Sequence, residues 1–160
     1  EYLYSNAKTM GADLDGIGLQ SPSFFVWAVR DAFTAPLQRV QIIKGFVDSN
    51  GNPQEQVFDV ACSDGGMPDA ETYRCPDNNA KVDIASCAFS QDVGAAELKT
   101  FWTDPTFEVD QRAFYYVRAL ENPTCRWSTW DALRNNVEPR SDITKTIQER
   151  VWSSPIHYIP

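Results

Sequence analysis

The chain contains a single histidine, His157, and this restricts the catalytic mechanisms that it can support. Hydrolytic sites with a serine or cysteine nucleophile usually depend on a histidine that moves a proton to or from that nucleophile. His157 lies near the C-terminus, shortly after Ser153 and Ser154, and the sequence has no Gly-x-Ser-x-Gly turn of the kind that exposes nucleophilic serines. We therefore interpret His157 as an ordinary strand residue and assign no catalytic residue in this chain.

Oxygen-bearing side chains with the spacing of a calcium loop occur at Asp48, Asn50 and Asn52, with Asp59 at the twelfth place. Such loops require glycine at the sixth place, where this chain has Pro53, and they normally end in glutamate. An Asn-Gly pair inside this segment is instead typical of a tight hairpin turn. We predict a turn here, and no metal ion or other cofactor.

The five tryptophans suggest carbohydrate binding, because flat aromatic faces stack on sugar rings. Trp27 and Trp102 lie in apolar runs and are expected in the core. Trp127, Trp130 and Trp152 lie in or near irregular segments. They either form an exposed binding patch or pack beneath the loops.

Arg118 is set in an otherwise apolar segment, which calls for a compensating group. A buried guanidinium without a partner is very costly. We therefore expect either an acidic partner, Glu149 or Glu121, or a position at the solvent-exposed end of the strand.

The chain is acidic, with 14 Lys and Arg against 22 Asp and Glu and a net charge of −8. A nucleic-acid backbone would be repelled, so nucleic acid is excluded as a partner. No apolar run approaches the roughly 20 residues of a membrane-spanning helix, so no transmembrane segment is predicted. The length of 160 residues is sufficient for one well-buried domain.

Four cysteines, none in a Cys-x-x-Cys pair, argue against a zinc site and for two disulfides. Of the three possible pairings we favour Cys62–Cys75, which closes the polar loop 63–74, and Cys87–Cys125, which ties a loop to the exit of a strand. The alternative is four buried free thiols. Two disulfides indicate an oxidising compartment, periplasmic or extracellular.

A central strand is predicted over residues 112–120, where seven of nine residues are apolar or aromatic. Alternation places Ala113, Tyr115, Val117 and Ala119 on one face and Phe114, Tyr116, Arg118 and Leu120 on the other. Neither set is polar enough to face water, so we expect covering layers on both sides.

Further strands are predicted over 24–29, 82–88 and 95–102, with a hairpin formed by 39–47 and 56–62 and an extended C-terminus bent at Pro155. A short helix capped by Ser128 and Asp131 should end before Pro139. This pattern predicts an all-β fold, an antiparallel β-sandwich of six to eight short strands with long disulfide-tied loops and one or two short helices. We assign 23–160 to the sandwich and 1–22 to an irregular lead-in or interdomain segment.

Several motifs together resemble the C-terminal part of bacterial proteins catalogued as domain of unknown function 3604. They cover most of the chain from about residue 22, in segments 37–45, 57–60, 112–118, 123–129, 147–150 and 152–156. Proteins of this family are several times longer. The resemblance implies that a larger N-terminal part, similar to metal-dependent amidohydrolase or PHP-type phosphoesterase domains, carries any metal site.

We therefore expect a non-catalytic C-terminal β-sandwich module of a larger exported hydrolase, with that N-terminal catalytic part as its partner and with a place at the rim of its active site. The chain by itself is not expected to be an enzyme. The alternative is a carbohydrate-binding module that uses exposed tryptophans. Besides the lead-in, the candidate contact residues are Arg126, Trp127, Trp130, Gln148, Glu149, Arg150 and Trp152.

Overall fold

Ten β-strands and one helix make up the described residues, 7–15 and 20–160, of a computed structural model of the chain. The longer strands are β2 (Ser23–Val29), β3 (Leu37–Val47), β4 (Pro53–Cys62), β5 (Glu97–Thr103) and β6 (Ala113–Glu121). The shorter ones are β1 (Asp13–Asp15), β7 (Thr124–Cys125), β8 (Thr146–Ile147), β9 (Arg150–Trp152) and β10 (Ile156–Ile159), and the helix α1 spans Trp127–Arg134. The predicted all-β class is confirmed. The number of strands exceeds the expected six to eight because four strands have only two or three residues. Strands this short show no hydrophobic periodicity from which they could be predicted.

The predicted central strand, β6, lies inside a six-stranded sheet with the order β1-β10-β6-β3-β4. The edge of β6 that faces away from β3 is shared by two strands, β10 near its start and β9 near its end. The β3–β4 hairpin turns between Val47 and Pro53, where the sequence predicted a turn. All pairs in this sheet are antiparallel except β1 with β10.

A two-stranded ribbon, β2 paired with β5, forms the second layer of the sandwich. Its inward side chains pack on one face of the large sheet, with the Phe24 ring 4.8 Å from the Tyr115 ring and the Trp102 ring 5.0 Å from the Phe58 ring. The buried core between the two layers consists of Val26, Leu37, Val40, Ile42, Phe58, Val60, Leu98, Ala113, Tyr115, Ala119 and Tyr158.

A second layer covers only one face of β6, which corrects the expectation of layers on both sides. Ala113, Tyr115 and Ala119 are buried under the ribbon. On the opposite face Phe114 is 40 % exposed, Tyr116 and Arg118 are half-buried, and Leu120 is buried. We call this opposite face of the six-stranded sheet the open face.

A buried ion pair lies in the core beneath the ribbon. Lys44 Nζ is 2.8 Å from Asp104 Oδ2, and both side chains are almost completely buried. The same carboxylate oxygen accepts a 2.8 Å hydrogen bond from the Tyr115 hydroxyl, and Lys44 also donates to the Thr106 carbonyl. Burial, and then the hydrogen bond to the Asp104 carboxylate, raise the pKa of Tyr115 well above its usual value.

Two disulfides join Cys62 to Cys75 and Cys87 to Cys125, the pairings favoured from the sequence, and no described cysteine is free. The first ties the loop after β4 back to the end of that strand. The second links the irregular segment before β5 to β7 and thereby to the start of α1. Two disulfides are compatible with an oxidising environment.

Three local predictions need correction or addition. Residues 82–88 form no strand, only a single bridge between Val82 and Phe89. Helix α1 begins before Ser128, with Arg126 at the N-cap and no side-chain cap. Within the lead-in, β1 adds a parallel edge to the large sheet, while residues 1–6 and 16–19 of that segment lie outside the described residues.

Replacement of Gly94 by alanine is expected to destabilise the fold by about 2–4 kcal/mol. Gly94 has a φ of +100°, and an added Cβ would lie 2.5 Å from Pro36 Cβ and 2.8 Å from Asn122 Nδ2. The matched control is Gly65→Ala, because Gly65 has a φ of +72° but nothing within 4 Å of an added Cβ. Urea midpoints for the two variants measure the difference, and equal losses would contradict the close packing at Gly94.

Candidate functional site

The outer face of the β2–β5 ribbon exposes four large apolar side chains, which we call the ribbon face. Phe25 is 45 % exposed, Trp27 60 %, Val29 65 % and Phe101 70 %. Phe25 and Phe101 are cross-strand partners with ring centroids 4.8 Å apart. Trp27 donates a 3.0 Å hydrogen bond to Glu97, and Lys99 Nζ lies 5.9 Å from the Trp27 ring centroid.

The exposure of Trp27 corrects its predicted place in the core, whereas Trp102 does pack against the core as expected. The near-continuous apolar run 24–29 is typical of a strand that is covered on both faces. In this chain even-numbered residues of β2 face the core and odd-numbered residues face outward. The outer side of β2 is therefore apolar and exposed, whereas the outer side of β5 carries Glu97, Lys99 and Thr103 beside Phe101.

The predicted contact residues Arg126, Trp127 and Trp130 lie at and within the first turn of α1. Trp127 is 74 % exposed and Trp130 is 38 % exposed. The Arg126 guanidinium is bound to Thr144, and the Arg134 guanidinium lies 5.5 Å from the Trp130 ring centroid. Trp127 is the freely accessible member of this group.

The other predicted contact residues follow one another in and before β9. Gln148 is half-buried and donates to Gln38 Oε1 and to the Glu121 carbonyl, so its role is structural. Glu149, Arg150 and Trp152 are exposed. No hydrogen bond, ring contact or strand pairing in the described part of the chain joins this group to the tryptophans of α1.

A row of side chains crosses four strands of the open face, and Trp152 is its outermost member. Strand pairing places Asp59 of β4, Gln41 of β3, Arg118 of β6 and Trp152 of β9 at neighbouring positions. Gln41 donates to Asp59 Oδ1 at 2.6 Å, and Arg118 Nε donates to Gln41 Oε1 at 2.7 Å. The hydrogen-bond partner of Arg118 is thus a neutral amide, where the sequence led us to expect Glu149 or Glu121.

Three arginines, Arg39, Arg74 and Arg118, lie around the buried Asp59 on the open face, the first two as ion-pair partners of its carboxylate and the third through Gln41. Together with Gln41, Val57 and Cys75 they line a cavity of about 290 Å³, which we call the arginine pocket. Arg39 Nε lies 3.7 Å from Asp59 Oδ2, and Arg74 Nη1 lies 3.6 Å from Asp59 Oδ1. Both separations are those of ion pairs rather than of hydrogen bonds.

A larger cavity of about 570 Å³ lies at the other end of the open face, where the Phe114 ring lies over Gly45. The exposed His157 ring contributes to its lining, 6.1 Å from the Phe114 ring centroid. The structure places no serine, threonine or cysteine nucleophile among the residues that line this cavity.

Comparison with protein families matches the whole chain, residues 1–160, to DUF3604, which is described as a protein of unknown function. This chain belongs to the DUF3604 family. The family resemblance of the sequence motifs is therefore confirmed. No curated protein and no solved structure matches the chain.

In this DUF3604 chain the motif 112–118 forms most of β6. The motifs 147–150 and 152–156 cover most of the chain from the end of β8 through β9 to the start of β10, and both β9 and β10 pair with β6. Within residues 7–15 and 20–160, no three His, Cys, Asp or Glu side chains form a group that could hold a metal ion. Nor does that part of the chain contain a helix both long and apolar enough to cross a membrane.

Sequence reasoning missed both the ribbon face and the arginine pocket. The ribbon face did have a signal in the sequence, the near-continuous apolar run 24–29. A strand that is apolar on both faces can indicate a second interface in addition to the core. The arginine pocket had none, since its three arginines lie far apart in the sequence and only strand pairing and the loop after β4 bring them together.

Proposed function

We propose that this DUF3604 chain is a non-catalytic β-sandwich module of a larger exported bacterial hydrolase. It docks through the ribbon face on a metal-dependent catalytic part that precedes it in the parent protein, and it completes the rim of the active-site cleft. The two disulfides support folding in the periplasm or outside the cell.

One observation carries this proposal: β2 is apolar on both faces from Phe24 to Val29, yet only its inner face has a cover. Burial of a large apolar side chain stabilises by roughly 1.5–3 kcal/mol, and Trp27, Val29 and Phe101 each still expose more than half of their surface. An exposed contiguous patch of this kind marks an interaction surface. The ribbon also follows directly on the lead-in 1–22, the first predicted contact segment.

The variant Phe101→Ser tests the docking surface. We expect the separately produced catalytic part to bind the variant at least tenfold more weakly, which corresponds to about 1.4 kcal/mol. The stability of the isolated module should fall by no more than about 1 kcal/mol, because Phe101 is 70 % exposed and its contact there is the cross-strand pair with Phe25. Isothermal titration calorimetry and urea unfolding measure the two quantities.

The matched control is Phe33→Ser, because Phe33 is 95 % exposed and lies in the loop after β2, outside the ribbon face. Equal affinities of the Phe101 and Phe33 variants would refute docking through the ribbon. A second experiment removes the 160-residue module from the parent. If the module completes the cleft, hydrolysis falls while metal content is unchanged.

A carbohydrate-binding module is the second candidate, favoured by the exposure of Trp127 and Trp152. Their indole rings are accessible for stacking on sugars, and Trp152 adjoins the polar row of the open face. Titration with polysaccharides should then shift the tryptophan fluorescence of the isolated chain, and Trp152→Ala should reduce that shift. Unchanged fluorescence across a polysaccharide panel would leave docking as the function.

A further inference from the structure

We propose that the arginine pocket binds a doubly charged oxyanion, a phosphate or sulfate group, on the open face of the sheet. This inference is independent of docking through the ribbon, which lies on the other side of the large sheet.

The charge balance of the pocket is the first argument. Three guanidinium groups face one carboxylate, so the pocket carries an excess of two positive charges within a chain whose net charge is −8. Among the described residues no carboxylate other than Asp59 lies within 4.0 Å of the nitrogens of Arg39 or Arg74, and none lies that close to Arg118. A dianion would neutralise this excess, whereas a monoanion would compensate half of it.

Unused hydrogen-bond donors are the second argument. Each guanidinium has five N–H donors. Arg118 donates to Gln41, Arg74 to the Val57 carbonyl and Arg39 to Gln38, which leaves most donors of all three without a protein acceptor. Arg39 Nε is buried beside Asp59 Oδ2, 3.7 Å away, and has no hydrogen-bond partner, so one more N–H group of the pocket is unpaired.

Asp59 does not satisfy those donors, because its oxygens lie 3.7 Å from Arg39 Nε and 3.6 Å from Arg74 Nη1, beyond hydrogen-bond distance. Oδ1 accepts from Gln41 and Oδ2 accepts a 2.8 Å hydrogen bond from the Cys75 backbone N–H. Asp59 therefore orients the pocket: it holds Gln41 against Arg118, and it holds the disulfide-tied loop that carries Arg74.

The site is rigid and small. Arg39 and Arg118 stand on neighbouring central strands, and Arg74 is placed by the Cys62–Cys75 disulfide. The cavity of about 290 Å³ is at the lower end of the range for ligand sites, which suits a phosphate or sulfate group rather than a large organic molecule. The exposed Trp152, next to Arg118 in the row, offers a flat surface for any organic part of an ester.

The test is calorimetric titration of the whole chain with sodium phosphate, sodium sulfate and glucose 6-phosphate, with sodium chloride and sodium acetate at matched ionic strength as controls. We expect saturable binding of a dianion with a Kd of about 1 mM or tighter. Inorganic phosphate and the ester distinguish a free ion from an organic phosphate as the source. Absence of binding by all three dianions, or equal binding of acetate, overturns the proposal.

The variants Arg118→Gln and Arg74→Gln should each weaken dianion binding at least tenfold. Arg74 is half exposed on a loop, so its replacement leaves the fold intact even if that of Arg118 does not. The matched control is Lys99→Gln, which removes one positive charge from the ribbon on the far side of the sheet. A loss of affinity in Lys99→Gln equal to that in Arg74→Gln overturns the proposal, because it would show binding through net charge alone.

Discussion

Replacement of Asp104 by alanine is expected to cost about 3–5 kcal/mol of unfolding free energy, because it leaves the Lys44 ammonium buried without its counter-charge. Small domains are stable by only about 5–15 kcal/mol, so this single change removes a large part of the total. Lys44 and Asp104 are both almost inaccessible to water, and Tyr115 would lose its hydrogen-bond acceptor as well. Urea unfolding followed by tryptophan fluorescence measures the loss.

Two further variants separate the ion pair from simple loss of packing. Asp110→Ala removes an exposed carboxylate and should change stability by less than about 0.5 kcal/mol. Lys44→Met combined with Asp104→Leu removes both charges, and it should recover part of the loss, because no ammonium is then buried unpaired while Tyr115 and Thr106 still lack the Asp104 carboxylate. A double variant as unstable as Asp104→Ala would argue against an uncompensated charge as the cause.

The raised pKa of Tyr115 gives the same network a pH signature. The pKa of the hydroxyl lies above its ordinary value of 10.0 in the folded state, so the unfolded state loses the proton first. This contribution to stability is therefore complete below pH 10 and decreases as the pH rises above it. Tyr115→Phe should show a smaller alkaline decrease than the unmodified chain, and an identical pH profile would contradict this assignment.

Removal of the Cys87–Cys125 disulfide by a double replacement with serine is expected to destabilise the fold by about 4 kcal/mol on the chain-entropy estimate. The bond spans 38 positions and links a segment that forms no strand to β7 and α1. The Cys62–Cys75 bond spans 13 positions and should contribute about 3 kcal/mol on the same estimate. The loop before β5 should therefore become the first site of proteolytic cleavage when Cys87–Cys125 is absent.

Alkylation followed by mass measurement provides the control for both disulfides. Without reductant the unmodified chain should take up no alkyl group, and with reductant it should take up four, one for each cysteine. Uptake without reductant, or a serine variant as stable as the unmodified chain, would contradict the assigned structural role.

Local sequence patterns were sufficient to predict the long strands, the hairpin turn and the all-β class. Alternation correctly divided β6 into two sets of residues, but it could not show that most of one set would remain partly exposed. Trp27 shows the same limit. An apolar run predicts a buried strand, but it does not show whether residues of this chain cover both faces of that strand. Ser128 was misjudged as a cap because the helix starts earlier, where the chain leaves β7.

Contacts between distant segments account for the rest. Lys44 falls in the inward set of β3, but only the position of Asp104 after β5 explains how a lysine is tolerated there. Arg118 was expected to pair with a carboxylate, yet it donates to Gln41, and Gln41 donates in turn to Asp59 on the next strand. Such chains of hydrogen bonds depend on strand register, which hydrophobic periodicity does not specify.

The loop closed by Cys62–Cys75 also protects β4 at the edge of the large sheet. The Asp59 N–H donates to the Tyr73 carbonyl, and Arg74 caps the Val57 carbonyl, so the loop occupies groups that would otherwise be open to another strand. Exposed strand edges are templates for intermolecular pairing. The Cys62–Cys75 bond, by holding this loop in place, therefore limits strand pairing between molecules as well as stabilising the fold.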